Sequence, residues 1–130
     1  MTTPPEYNSS DPAGLIVGLR QSIDEILSLT ADLLPWVPEF GPEGGENLAL
    51  IENVGREIRE RLESVLAARA SNLSLDWLDK NLRHDFRNLI SAVTGFAELI
   101  LMESAESCEA RPRVIRLRQC AKTFIDLIER

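Results

Sequence analysis

An all-α fold, two helical hairpins assembled into a four-helix bundle, is what this sequence predicts, and three observations carry the prediction. Leu, Ile, Ala, Glu and Arg dominate while aromatic residues make up only 5%, a mixture that favours helices packed through aliphatic seams over a β-sandwich. Apolar residues recur at three- and four-residue steps in four successive segments, the period of one helix face. Short stretches rich in Pro, Gly, Ser or Asn separate those segments and punctuate the helices. A length of 130 residues allows one domain or two small helical units, and 44% hydrophobic content is too high for a disordered chain.

Residues 1–12 are rich in Thr, Pro, Ser and Asn and read as a frayed tail. The first helix is expected over residues 13–34, with Ile16, Leu19, Ile23, Ile26 and Leu33 on one face and Thr30 filling the missing place. Pro35 and Pro38 stop it, and the run from Trp36 to Pro42 forms a stiff connection. The second helix is expected over residues 45–70, striped by Leu48, Ile51, Val54, Ile58, Leu62 and Val65. Glu52 with Arg56 and Glu57 with Arg61 are i,i+4 pairs on its wet side. Gly55 costs local helix stability, but the pattern runs through it. Residues 13–70 thus form an N-terminal hairpin.

A second hairpin occupies residues 74–130. Ser74 is a fair N-cap for the third helix, residues 74–103, and Asp76 sits in its first turn, where the helix dipole favours negative charge. Residues 104–111 make a polar connection, and Pro112 suits the first turn of the fourth helix, residues 112–130. Val114, Leu117, Ala121, Phe124 and Ile128 keep its 3-4 spacing. It reaches the last residue with no C-cap signal, as expected of a segment cut from a longer chain. The third helix is apolar over more than one stripe. Leu78, Leu82, Leu89, Val93, Phe96 and Ile100 form one side, and Phe86, Ile90, Ala97 and Leu101 widen it. One hairpin partner cannot cover that surface, so helices 1 and 2 or a second subunit must pack on it. A bundle completed by homodimerisation is the expected answer, and a four-helix monomer the other option.

The formal charge of −7 is unevenly placed: residues 1–50 hold eight acidic groups and one basic group, Arg20, and the remainder is neutral. Net acidity argues against nucleic acid as the main ligand, because phosphate backbones need clustered Lys and Arg. Arg111, Arg113, Arg116, Arg118 and Lys122 form a local basic run, read first as a solvated helix face and second as a docking surface for an acidic partner. No apolar run approaches the ~20 residues needed to span a bilayer, and the N-terminus lacks a signal-peptide layout. Cys108 and Cys120 make no metal-spaced or redox motif. A reduced, cytoplasmic protein without a cofactor or metal of its own is the expectation.

His84 is the only histidine. A histidine side chain can act as a nucleophile at neutral pH, where neutral imidazole is in general well populated. On a helix, His84, Asn88 and Ser91 share one polar face by i,i+4 and i,i+7 spacing, with Asn81 and Arg87 beside them. Phe86, Leu89, Val93 and Phe96 point towards the core. The imidazole is therefore presented to solvent next to an acidic residue, Asp85, and a carboxamide. Taken alone, a lone helical histidine is more often a surface residue than a catalyst. Trp77, near the start of this helix, reads as core or interface.

The run from Leu82 to Leu99 resembles the H-box of the dimerisation and histidine phosphoacceptor (DHp, or HisKA-like) domains of two-component histidine kinases, and the likeness covers residues 74–130. His84 matches the phosphoacceptor, Asp85 the acidic neighbour, Arg87 a frequent basic residue and Asn88 the Thr/Asn position. Ala92, Gly95, Phe96, Glu98 and Leu99 match the tail of the motif. Leu89 departs from it, standing where the family usually has a kinking Pro; without that Pro the helix stays straight. This departure bears on autophosphorylation more than on phosphotransfer. Neither a P-loop nor an Asp-x-Gly-x-Gly element is present, so a phosphoacceptor or phosphotransferase role is the most that the resemblance implies.

In that role His84 would be the nucleophile, Asp85 would hydrogen-bond the imidazole and fix its tautomer, and Asn88 could position water for dephosphorylation of the partner. Arg83 and Arg87, with Arg116 and Arg118 as further candidates, would hold the phosphoryl group or the partner's acidic rim. The implied partners are a second copy of the chain, a response-regulator receiver domain carrying its own Mg²⁺, and a separate ATP-binding kinase domain. The rival expectation is a non-catalytic dimerisation and signal-relay bundle attached to an output domain, in which His84 has no chemical role.

Overall fold

Helix breakers and capping residues set the element boundaries, and the computed structural model describes residues 12–68 and 77–129. Among them are four α-helices and no strand: α1 (Pro12–Leu33), α2 (Gly44–Ala68), α3 (Lys80–Glu103) and α4 (Arg111–Ile128). Residues 1–11 of the expected tail, Ser74 and Asp76 lie outside the described residues, as does Arg130, while Pro12 opens α1.

In α1 the buried face is Leu15, Ile16, Leu19, Ile23, Ile26 and Leu33. Thr30 is buried among them, its hydroxyl donating to the Ile26 carbonyl at 2.7 Å and so satisfied within the helix. Pro35 and Pro38 turn the chain into a 3-10 segment, Leu34–Glu39, and Phe40 then inserts into the core. Gly41 reverses the chain at φ 85°, a conformation that favours glycine. A Cβ there would lie 2.8 Å from the Glu103 Cβ, so the turn also packs closely on the end of α3.

α2 buries Leu48, Ile51, Ile58 and Leu62, and Val54 and Val65 are half-buried. Gly55 is buried as well, and a Cβ on it would come within 3.0 Å of the Leu27 side chain. This glycine marks where α1 and α2 approach closely, which gives its helix-weakening presence a packing reason.

The third helix differs from expectation at its start. Trp77 and Leu78 are buried in a non-α turn, and Asp79 is the N-cap, its side chain accepting from the Leu82 N–H at 2.8 Å. Asp79, the first capping carboxylate beyond that turn, thus opens α3, and the cap expected at Ser74 lies outside the described residues. The stripe is also rotated. Phe86, Ile90, Val93, Ala97 and Ile100 are the buried line, whereas Leu82, Leu89, Phe96 and Leu101 flank it half-buried. The residues expected to widen the stripe include three of its central members.

At the far end of α3, Arg111 donates to the Leu101 carbonyl (2.7 Å) and the Ser104 hydroxyl (2.9 Å), closing a helix terminus whose carbonyls lack intrahelical partners. Pro112 lies in the first turn of α4, which buries Val114, Leu117, Cys120, Ala121, Phe124, Leu127 and Ile128.

The helices alternate up and down around a ring. α1 packs on α2 and α4, and α3 packs on α2 and α4. Phe86 and Phe124 meet edge to face at 5.7 Å between centroids, in the α3–α4 part of the core. Closure is therefore internal. Within one chain, α2 of the N-terminal hairpin and α4 cover the buried line of α3.

Candidate functional site

The buried line of α3 sets the phase of everything else on that helix. With Phe86 and Ile90 turned into the core, the helical repeat carries His84, Asn88 and Ser91 to the opposite side. His84 stands on the second turn, close behind the Asp79 cap, so its backbone is held by an anchored helix. α3 runs without interruption past Leu89, the position at which a Pro would have bent it.

The His84 side chain is 66% exposed and that of Asp85 is 52% exposed. Their nearest approach, His84 Nδ1 to Asp85 Oδ1, is 3.7 Å, longer than a hydrogen bond. The second oxygen of Asp85 faces across to α2, where Arg61 Nη1 lies 3.5 Å away. Arg61 also binds Glu57 through Nη2 at 2.9 Å. Arg61 is the residue that sequence reasoning missed. Its i,i+4 pairing with Glu57 looked complete, and the only signal that could have found it was the adjacency of α2 and α3.

The two arginines expected to contact a phosphoryl group are engaged elsewhere. Arg83 turns back along the helix and donates to the Leu78 carbonyl at 3.2 Å, leaving its buried Nε without a partner. Arg87 donates to Glu129 beyond α4 at 2.8 Å. Asn88 and Ser91 are exposed and make no hydrogen bond among the described residues. The outer face of α3 continues through Gly95, where a Cβ would meet nothing within 4 Å, to Leu99 and Met102, 42% and 78% exposed.

Most of the basic run on α4 serves the fold. Arg111 caps α3, and Arg113 stands 6.0 Å from the centre of the Trp36 ring. Arg116 binds Glu25 of α1 with both its Nε (2.5 Å) and Nη2 (3.0 Å), and Lys122 pairs with Asp126 at 3.4 Å. The Arg116 hydrogen bonds hold the Glu25 carboxyl below its ordinary value of 4.5. Nearby, burial pushes the Cys120 thiol up to about 11, which keeps it protonated and unreactive. Arg118 makes no hydrogen bond or ion pair among the described residues and lines a groove of about 460 Å³ with Thr94, Glu98 and Ile125.

No group of three metal-ligating side chains occurs among the described residues, and no described helix is long and apolar enough to cross a membrane. Trp77 belongs to the core. The arrangement at His84 can therefore offer one exposed nitrogen nucleophile, a neighbouring carboxylate shared with an arginine, and a carboxamide one turn on. No protein-family model matches this chain, and no curated protein or solved structure matches it either.

Proposed function

We propose that this chain is a histidine phosphoacceptor and phosphotransfer module of two-component signalling, with His84 as its nucleophile. The observation that carries the reading is the exposure of the only imidazole on the outer face of a capped, uninterrupted helix, inside a run that resembles the H-box. Asp85 lies on the Nδ1 side of the ring. A small side-chain rotation would let it accept the Nδ1 proton, which leaves the Nε2 lone pair directed at the donor.

In the transfer, Nε2 attacks phosphorus in line. The bond from phosphorus to the carboxylate oxygen of a phosphorylated receiver aspartate breaks, and the receiver leaves as free carboxylate. The reverse reaction returns the phosphoryl group to such an aspartate. A separate ATP-binding kinase domain is the alternative donor, with the ATP γ-phosphoryl bond broken instead. Asn88, one turn along and exposed, would meet the transferring group or an attacking water. A cytoplasmic location goes with this reading. A homodimer would add to a bundle whose core is already closed.

The signal-relay reading is favoured by a different observation, the exposed Leu99 and Met102 on the same face, which would suit association with an output domain. Incubation of wild type and His84→Ala with histidine kinases and phosphorylated receivers separates the two. Acid-labile label on wild type alone, with equal helix content in both proteins, is the expected result. An unlabelled wild type with every donor would leave the relay reading.

A further inference from the structure

We propose that Arg61 of α2 is a positioning residue for the His84–Asp85 pair, holding the Asp85 carboxylate and thereby setting how strongly that carboxylate engages the imidazole. The proposal rests on the phosphotransfer reading. It starts from the division of the carboxylate: Oδ1 faces His84 Nδ1 at 3.7 Å, while Oδ2 faces Arg61 Nη1 at 3.5 Å. The guanidinium is divided too, with Nη2 on Glu57 at 2.9 Å. A planar fork can bridge two carboxylates in this way, and a lysine ammonium on its flexible stem does so poorly.

The charged residues within three positions of His84, and those linked to them through ion pairs, come from three elements. α2 supplies Glu57 and Arg61; α3 supplies Asp85, Arg83 and Arg87; Glu129 follows α4 and is tied to Arg87. Arg83 is turned to the Leu78 carbonyl. Among the described residues Arg61 is the cation within ion-pair range of Asp85. It draws the Asp85 carboxylate toward α2 and away from the imidazole. Its tether also narrows the positions from which Asp85 can reach Nδ1. The N-terminal hairpin thus contributes to the site as well as closing the bundle.

His84 is the only histidine, so its imidazole resonances are unambiguous in the full chain, and titrating them by NMR tests the proposal directly. Arg61→Gln should raise the proton affinity of His84 roughly two- to fivefold, and Asp85→Asn should lower it by a similar factor. In the Asp85→Asn background, Arg61→Gln should have no further effect, since the influence runs through the carboxylate. An equal rise in both backgrounds would reduce Arg61 to a distant charge and overturn the proposal, as would no rise at all. Arg61→Lys keeps the charge and loses the fork, and should reproduce at least half of the rise; titration like wild type would also overturn it. No phosphoryl donor is involved. An unlabelled His84 with intact coupling would sink the phosphotransfer reading and leave the role of Arg61 standing.

Discussion

The two sides of α3 share one backbone and differ in nearly everything else. Phe86, Ile90, Val93, Ala97 and Ile100 are fully buried against α2 and α4, while His84, Asn88, Ser91 and Gly95 face out with nothing packed on them. A second contrast runs between polar groups. Those joining helices elsewhere are matched within the chain: Arg20 with Glu63, Glu25 with Arg116, Arg111 with the end of α3. His84, Asn88 and Ser91 make no hydrogen bond among the described residues. Matched groups are accounted for by folding. The unmatched ones on the outer side of α3 are available to a partner.

The largest expected effect tests that contrast head-on. Phe86→Ala removes a fully buried ring in contact with Phe124 and should cost about 3–5 kcal/mol in urea unfolding. His84→Ala should stay within about 0.5 kcal/mol of wild type. Comparable losses in the two variants would make the outer face structural and erase the distinction.

Two glycines sharpen it at intermediate size. A methyl group at Gly95 meets open space, so Gly95→Ala should add about 0.5–1 kcal/mol through helix propensity alone. At Gly55 the same change presses on the Leu27 side chain at 3.0 Å, and the gain should shrink or reverse. Equal thermal shifts for the pair would mean that the outer face of α3 is as covered as the α1–α2 seam.

The smallest effect is electrostatic. Because Arg116 depresses the Glu25 pKa below 4.5, their pair contributes stability above about pH 4.5 and loses it as pH falls through the lower folded value. Both side chains are substantially exposed, so Glu25→Gln should lower Tm by no more than about 2 °C at pH 7, and by progressively less as the pH is taken below 4.5. A large loss at pH 7 would show that the matched pairs hold the bundle more firmly than burial does.

Much of this was legible in the residues. The 3-4 spacing of Ile16, Leu19, Ile23 and Ile26, and of Val114, Leu117, Ala121 and Phe124, reports helix and face together, because period and burial coincide on an aliphatic stripe. The outward position of His84 followed from its spacing against Phe86, Leu89, Val93 and Phe96, although Leu89 and Phe96 proved half-buried. The start of α3 was less legible. Ser74, Asp76 and Asp79 are all capping residue types, and only the burial of Trp77 and Leu78 decides among them. Leu89 and Phe96 looked central because an all-apolar stretch does not reveal which of its edges faces the middle of the core.

The sequence by itself determined the class, the four helices, the proline and glycine turns and the solvent-facing phase of His84, since each depends on residues within a few positions of one another. Tertiary structure decided which surfaces meet. It placed the N-terminal hairpin, in this same chain, against α3 and α4, gave Arg116 to Glu25, turned Arg83 and Arg87 to other partners, and brought Arg61 of α2 beside Asp85. Helical periodicity specifies the direction of a side chain about its own axis but carries nothing about which neighbouring helix lies in that direction.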